Sequence, residues 1–230
     1  MIGFRLAQAQ DVEAIGLLIE QCLNETPNRV QIGAGIGPAV ARAVTLAVNN
    51  EEVVGFVAGF KTLSPDEVQR WEIDLLAVRP AEQRQGIGRQ LINASVERRR
   101  GSGAVLARAI IQENNAASQR AFASQGFIAS EPMELYTWRP SQNETLISRF
   151  NVINEAIPGI IPVSTFTYTG LWLEGELTES MIQTAKHRAF MEELDTVGAL
   201  VPKRQSDVIK LLERWRFKYV NPYRSWQKRF

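Results

Sequence analysis

Apolar and polar residues alternate along residues 2–7, IGFRLA, with the period of a half-buried strand. The pattern then lengthens. In DVEAIGLLIEQCL, Val12, Ile15, Ile19 and Cys22 fall at helical spacing, with Asp11 placed to cap the helix. Asn24 to Pro38, which includes GAGIG, keeps neither period and reads as a flexible loop. ARAVTLAV, the turn NNEE and VVGFVAGF predict a hairpin. WEIDLLAV is the next strand, followed by the helix GIGRQLINASVERRR, which Gly101 and Gly103 end. AVLARAII is a strand, NNAASQRAFASQ a helix stopped at Gly126, and FIASEPMELYTW closes the unit. Strands alternating with helices in this order indicate an α/β layer whose sheet is partly parallel.

A second series follows. SQNETLISRFNVINEAI predicts a linking helix ended by Pro158 and Gly159. FTYTGLWLEG is a strand, Thr178 caps ESMIQTAKHRAFMEEL, and TVGALVP is another strand. Ser206 caps DVIKLLERW, in which Val208, Leu211, Leu212 and Trp215 share a face, and FKYVNPYRSWQKRF is the last strand. This order repeats that of Trp71 to Arg139, and LLERWRFKYV resembles AFASQGFIAS in pattern. The chain therefore divides into a domain over residues 1–140 and a smaller C-terminal α/β half-repeat over residues 141–230, offset by about 90 residues.

Composition narrows the function. The 230 residues are 45 % hydrophobic and 22 % charged, with a formal net charge of +1, which argues against a nucleic-acid partner. The basic run ERRR falls where a helix should end, a favourable place for positive charge. Cys22 is the only cysteine, so an intrachain disulfide and a cysteine metal cluster are excluded, and its spacing reads as a core thiol. His187 is the only histidine and reads as solvated, so no metal is expected. MIGFRLAQAQ lacks the arrangement of a secretion signal and no segment is apolar enough to span a bilayer. A cytoplasmic protein with no membrane partner is the expectation.

The candidate chemistry lies in AVRPAEQRQGIGRQLINASV, where Gly86 and Gly88 sit just before an amphipathic run. A strand-to-helix turn leaves backbone N–H groups unpaired at the positive end of a helix, which is an anion site. Arg84 and Arg89 flank it. A side chain at either glycine would hold a bulky phosphate away from those amides. A tight turn with close helix–strand packing favours glycine as well, so spacing alone supports both readings.

The surroundings separate them. Gln83-Arg84-Gln85-Gly86-Ile87-Gly88, after a strand ending in Ala77-Val78, resembles the acyl-CoA-binding signature of the GCN5-related N-acetyltransferase (GNAT) family. Asn115, Ser118 and Phe122, then Gly126-Phe127, are similar to that family's second CoA element. The resemblance runs from about Ile2 to Arg139, whereas a dinucleotide fingerprint lacks its third glycine and its acidic strand. It implies a mixed, splayed β-sheet with helices on both faces. It also implies acetyl-CoA as cosubstrate, its pyrophosphate on the amides of Arg84, Gln85, Gly86, Ile87, Gly88 and Arg89. Leu76, Ala77 and Val78 would lie along the pantetheine arm, with Asn115 and Ser118 beside that arm or its thiol end, although Ser118 reads equally as a small helix residue.

The implied reaction is acetyl transfer to a primary amine, of a small molecule or of a protein, by direct attack in a ternary complex. An amine of pKa near ~10.4 must lose a proton before it attacks. Glu72 stands where several protein-acetylating members carry a glutamate, and Asp74 shares its strand face, so either carboxylate is a candidate base. Either could instead order a cationic substrate without taking its proton. The main-chain N–H of Leu76 is the implied oxyanion donor. Phe122 replaces the tyrosine that many members use as general acid, which leaves unaided thiolate departure, a substitute such as Tyr136 or Ser118, or a module that binds acyl-CoA without turnover. The C-terminal half has no Gly-x-Gly turn, and Glu174, Glu176 and Glu179 would repel phosphate, so no second cofactor site is expected there. Covering the acceptor cleft, extending the sheet or forming a homodimer contact are its expected uses. Trp172, Trp215, Tyr219, Tyr223 and Trp226 read as core.

Overall fold

The computed structural model describes residues 2–36, 42–98, 102–141 and 157–230. The expected linking helix therefore lies almost wholly outside the described residues, as do Gly101 and the end of the expected loop at Pro38.

Strand β1 (Gly3–Leu6) pairs antiparallel with β2 (Arg42–Asn49), which forms a hairpin with β3 (Glu52–Leu63). Asn50 and Glu51 close that hairpin with φ of 47° and 71°, the conformation a two-residue turn needs to follow the twist of its strands. β4 (Gln69–Val78) runs antiparallel to β3, and β5 (Leu106–Gln112) runs parallel to β4 after the crossover helix α3 (Ile87–Arg98). Two irregularities open the sheet here. β4 carries one extra residue between Ile73 and Leu76, where the register against β3 shifts. β4 and β5 pair only from Arg70↔Leu106 to Glu72↔Arg108, although both strands continue beyond that point. The sheet is mixed and splayed, as expected.

Alternation along the strands fixes the layers. Ala47, Val54 and Val57 face α3, whose Ile87, Leu91, Ile92 and Val96 are buried against them with Phe122 of α4 (Ala116–Ala123). Leu46, Val53 and Phe56 face the other way, toward Ile15, Leu18 and Ile19 of α1 (Val12–Leu23). Helices thus cover both faces.

The expected loop at residues 24–38 is in part a helix, α2 (Arg29–Gly35). Asn28 caps it by accepting from the Gln31 N–H, Ile32 is fully buried, and Arg29 pairs with Glu13 and Glu20 of α1. Packing and ion pairs hold a glycine-bearing turn whose propensity alone would not. Asp11 occupies the cap position of α1, yet its carboxylate accepts from the Gln8 N–H and, twice, from Arg5.

The closing stretch of the first unit divides into β6 (Ile128–Ala129) and β7 (Met133–Trp138), and neither pairs with β5. The last strand of the chain, β11 (Lys218–Arg229), lies between β5 and β7 instead. Beyond β7 come β10 (Thr196–Pro202), β9 (Thr169–Leu173) and β8 (Ile160–Ser164), so that, among the described residues, eleven strands make one sheet. β9 and β10 are parallel and joined through α5 (Glu179–Met191), as β4 and β5 are through α3. α6 (Ser206–Arg214) then leads to β11. Gln205, not Ser206, holds the cap position of α6, and its φ and ψ of −89° and 64° match the −87° and 67° of Asn115 before α4. Strands from the two ends of the chain thus interleave in one sheet, with β11 between β5 and β7 and β7 between β11 and β10.

Candidate active site

The turn after β4 is built by two residues in the left-handed region, Arg84 (φ 63°) and Gly86 (φ 82°). The Gly86 carbonyl accepts from the Gln90 N–H at 3.2 Å, the first bond of α3. The amides from Gly86 to Arg89 consequently have no partner inside the helix. Gly86 is required by its backbone conformation. Gly88 is not: its φ is ordinary, and a Cβ there would meet nothing nearer than Val78 Cγ2 at 4.0 Å. The space over Gly88 is open, and it lies in the wall of a cavity of about 550 Å³.

Leu76, Ala77, Val78, Gln83, Arg84, Gly86, Ile87, Gly88, Arg89, Asn115 and Ser118 all line that cavity, from β4, the turn, α3 and α4. Gln83 fastens the turn to the strand by donating to the Val78 carbonyl at 2.9 Å. Asn115 caps α4 through the Ser118 N–H at 3.0 Å. Two expected members are absent from the wall. Gln85 turns away and donates to Glu82. Phe122 is buried in the core, edge-on to Phe127 with ring centroids 5.0 Å apart. Arg84, Arg89 and Arg120 put three guanidinium groups around the cavity, which suits an anionic, elongated ligand.

A second cavity, of about 240 Å³, opens on the other side of the β4 bulge. Ile73, Asp74 and Leu75 line it, and Leu76 begins the wall of the first, so the two sites occupy consecutive residues of one strand. Glu72 lines it too, but as part of a closed ring of four charges. Its Oε2 accepts from Arg108 Nε at 2.9 Å, and its Oε1 accepts from the Thr62 hydroxyl at 2.7 Å and lies 3.3 Å from Arg70 Nε. Glu174 completes the ring, 2.7 Å from both Arg70 Nη1 and Arg108 Nη2. Burial alone would raise the Glu174 pKa, and the two arginines outweigh it and hold the carboxyl below its ordinary range. Burial likewise pulls the Arg108 guanidinium down, and Glu72 and Glu174 outweigh it and push it up. Glu72 is thus an anchor of this ring, with both of its carboxylate oxygens engaged. Asp74 is exposed at the cavity wall.

Residues 21–127 match the model of the acetyltransferase (GNAT) family. The chain carries a GNAT acetyltransferase domain. Solved structures agree on the fold. A protein of Pyrococcus horikoshii classed provisionally as an acetyltransferase is 14 % identical, matching 100 % of this chain and 89 % of its own with a TM-score of 0.60. The yncA protein of Salmonella typhimurium, also classed provisionally and solved with acetyl-CoA, is 24 % identical over 58 % of this chain and 83 % of its own, with a TM-score of 0.52. Arabidopsis thaliana NAA60, solved with a bisubstrate analogue, is 18 % identical over 58 % and 87 %, with a TM-score of 0.53. No curated protein matches the sequence.

The candidate acid and base groups are distributed unevenly around the two cavities. Tyr136, a candidate substitute acid, lines neither cavity; burial and its bond to Glu134 push its pKa up to about 12. The tyrosines at the second cavity are Tyr168 and Tyr223, both from the C-terminal half. Burial raises both pKa values, and Asp74 adds to the effect at Tyr168. Tyr168 accepts from the Trp172 indole at 3.0 Å, and Tyr223 from the Gln112 amide at 2.9 Å. Sequence reading placed Trp172 and Tyr223 in the core and missed Tyr168, because residue spacing does not tell that these distant parts of the chain line one cavity with Asp74 of β4. Arg120 was legible in hindsight: it shares a face of α4 with Ala117 and Ser124, at spacings of three and four. Cys22, expected in the core, packs half-buried against the cluster of Ile15, Leu18 and Ile19 and also lines the first cavity, its thiol 3.7 Å from the Val78 carbonyl. At the start of α5 the Thr178 hydroxyl accepts from the Met181 N–H at 3.2 Å, and Glu174 before it turns inward to the arginines. Among the described residues no cluster of metal-ligating side chains occurs and no helix is long and apolar enough to cross a membrane.

Proposed function

We propose that the chain is an acetyl-CoA-dependent N-acetyltransferase that moves the acetyl group to a primary amine by direct attack. The observation that carries this reading is the placement of two cavities along consecutive residues of β4 at its bulge, one with a phosphate-ready glycine turn and three arginines, the other with carboxylates and hydroxyls. Bound acetyl-CoA supplies an activated thioester. The turn amides and Arg84, Arg89 and Arg120 hold its phosphates, while Leu76, Ala77 and Val78 align its arm along β4. The Leu76 N–H is the donor for the carbonyl oxygen. Asp74 replaces Glu72 as the group that takes the amine's proton, since the four-charge ring commits Glu72. No tyrosine stands at the usual acid position on α4, and a thiol of pKa about 8.5 departs without one. The C-terminal series is read as a degenerate half-repeat that roofs the acceptor site.

A second reading, an acyl-CoA-binding module without turnover, is favoured by the burial of Phe122 and the engagement of Glu72. Mixing the protein with acetyl-CoA and a panel of amines, and following thiol release, separates the two. Release above hydrolysis that falls in Asp74→Asn supports the transferase, whereas tight binding with no release supports the module.

A further inference from the structure

We infer that the acceptor is a small primary amine with an apolar or aromatic body and no carboxylate of its own. This rests on the acetyl-transfer reading and concerns the 240 Å³ cavity beside the β4 bulge. Three features of its wall fix the class.

Size comes first. Drug-sized ligands fill clefts of roughly 300–1,000 Å³, so this cavity takes something smaller. Its far wall is Ile161, Val163, Tyr168 and Trp172 of β8, β9 and the segment joining them, anchored by the four-charge ring and by Phe166, fully buried beside Phe56.

Apolar character comes second. Phe60 and Trp172 offer aromatic surface, with Ile73, Leu75, Ile110 and Leu135 around them. Such a wall binds a hydrocarbon body and, through ring faces, an ammonium group.

Charge comes third. Arg108 is the one cation among the lining residues, and it gives two of its nitrogens to Glu72 and Glu174. Glu25 and Asp74 add two more carboxylates to the wall. An ammonium is welcomed there. A substrate carboxylate meets like charge.

Phenethylamine and phenylalanine test this, because they share one body and differ by a carboxylate; a short peptide with a free N-terminus is the third arm. Acetyl-CoA binding is followed by calorimetry and transfer by thiol release. The expected result is a kcat/KM for phenethylamine at least tenfold above that for phenylalanine or the peptide. Glu25→Gln should narrow the gap between the first two several-fold while leaving the acetyl-CoA Kd unchanged. Transfer to phenylalanine or to the peptide at an equal or higher rate overturns the assigned substrate class and leaves the transferase reading standing. Acetyl-CoA binding with no release from any of a broad amine panel overturns the transferase reading, and the substrate class with it.

Discussion

Glu174, in the segment after β9, places a carboxylate oxygen 2.7 Å from the Arg108 guanidinium on β5, so a buried ion pair joins the C-terminal half to the domain that carries the phosphate turn. Arg70 makes the same link from β4, and Glu72 closes the ring. Removing one member leaves buried charge without its partner, which costs about 3–5 kcal/mol. Glu174→Ala should therefore lower the urea midpoint strongly and, by loosening the wall that carries Tyr168 and Trp172, raise KM for the amine more than the Kd for acetyl-CoA. A stability within 0.5 kcal/mol of the parent, which is the order expected of a surface change, would show that the ring does not clamp the halves.

The same carboxyl sets a pH dependence. Its folded pKa lies below the unfolded value, near ~4.3. Stabilisation is thus fully present above the unfolded pKa and is lost as pH falls through the folded one, since the unfolded state then binds more protons. Asp11, held down chiefly by its hydrogen bond from Arg5 against the opposing effect of burial, acts in the same sense. Urea midpoints should be flat from pH 7 to about pH 5 and then fall. Glu174→Gln should flatten the acid limb. An unchanged limb in that variant would assign the loss to other groups.

The two turn glycines should respond differently to alanine. Gly86 has φ of 82°, so Gly86→Ala carries a backbone penalty of about 1–2 kcal/mol and should lower both Tm and acetyl-CoA affinity. Gly88 has an ordinary φ and open space at its Cβ, so Gly88→Ala should leave Tm nearly untouched and still weaken binding. Gly88→Asp adds a negative charge facing the phosphate site and should abolish binding with the fold intact. Calorimetric titration beside thermal melts checks all three, and unchanged affinity in Gly88→Asp would remove the phosphate site from the turn.

The local parts of this fold were legible because they follow from residue spacing. The β2–β3 hairpin, α3, α4 and the glycine turn all lie where period and capping put them. Most residues named for the first cavity came instead from the resemblance to the GNAT signature, which points to the end of one strand, the turn after it and the start of α4; Cys22, Leu23 and Arg120 were not among them. The interleaving of strands was not legible, since the alternation in MELYTW says which face is buried and nothing about which strand lies alongside. That one ambiguity hid the origin of Tyr168, Trp172 and Tyr223 and the ion-pair ring around Glu72, whose member Glu174 lies 102 residues further along the chain. α2 was missed because Ile32 and Arg29, held by partners on α1, stabilise a segment whose three glycines argue for a loop.

Asp74 and Glu72 should now separate by the kind of damage each causes. Asp74→Asn removes the proposed proton acceptor and should lower kcat by about 10²–10⁴-fold, with little change in Tm. The acidic limb of the kcat/KM profile should vanish with it. Glu72→Gln should chiefly destabilise, since it breaks the ring between Arg70 and Arg108. A profile unaltered in Asp74→Asn, with a kcat collapse and normal stability in Glu72→Gln, would return the base to Glu72.

Cys22 offers a test of the first cavity that needs no turnover. Its thiol lies near the Val78 carbonyl and shares the cavity wall with Leu76, Val78 and Gly88. Burial pushes its pKa up, with Arg79 opposing weakly, so little thiolate is present at neutral pH and alkylation should be slow. The rate should rise with pH up to a value above the ordinary thiol range. A ligand filling the space along β4 covers the sulfur, so saturating acetyl-CoA should slow labelling at least tenfold. A bulky maleimide attached there should in turn block acetyl-CoA binding. Cys22 is the only cysteine in the chain, so mass spectrometry reads this one site without ambiguity. Equal labelling rates with and without acetyl-CoA, at concentrations where calorimetry shows saturation, would move the bound arm away from Val78.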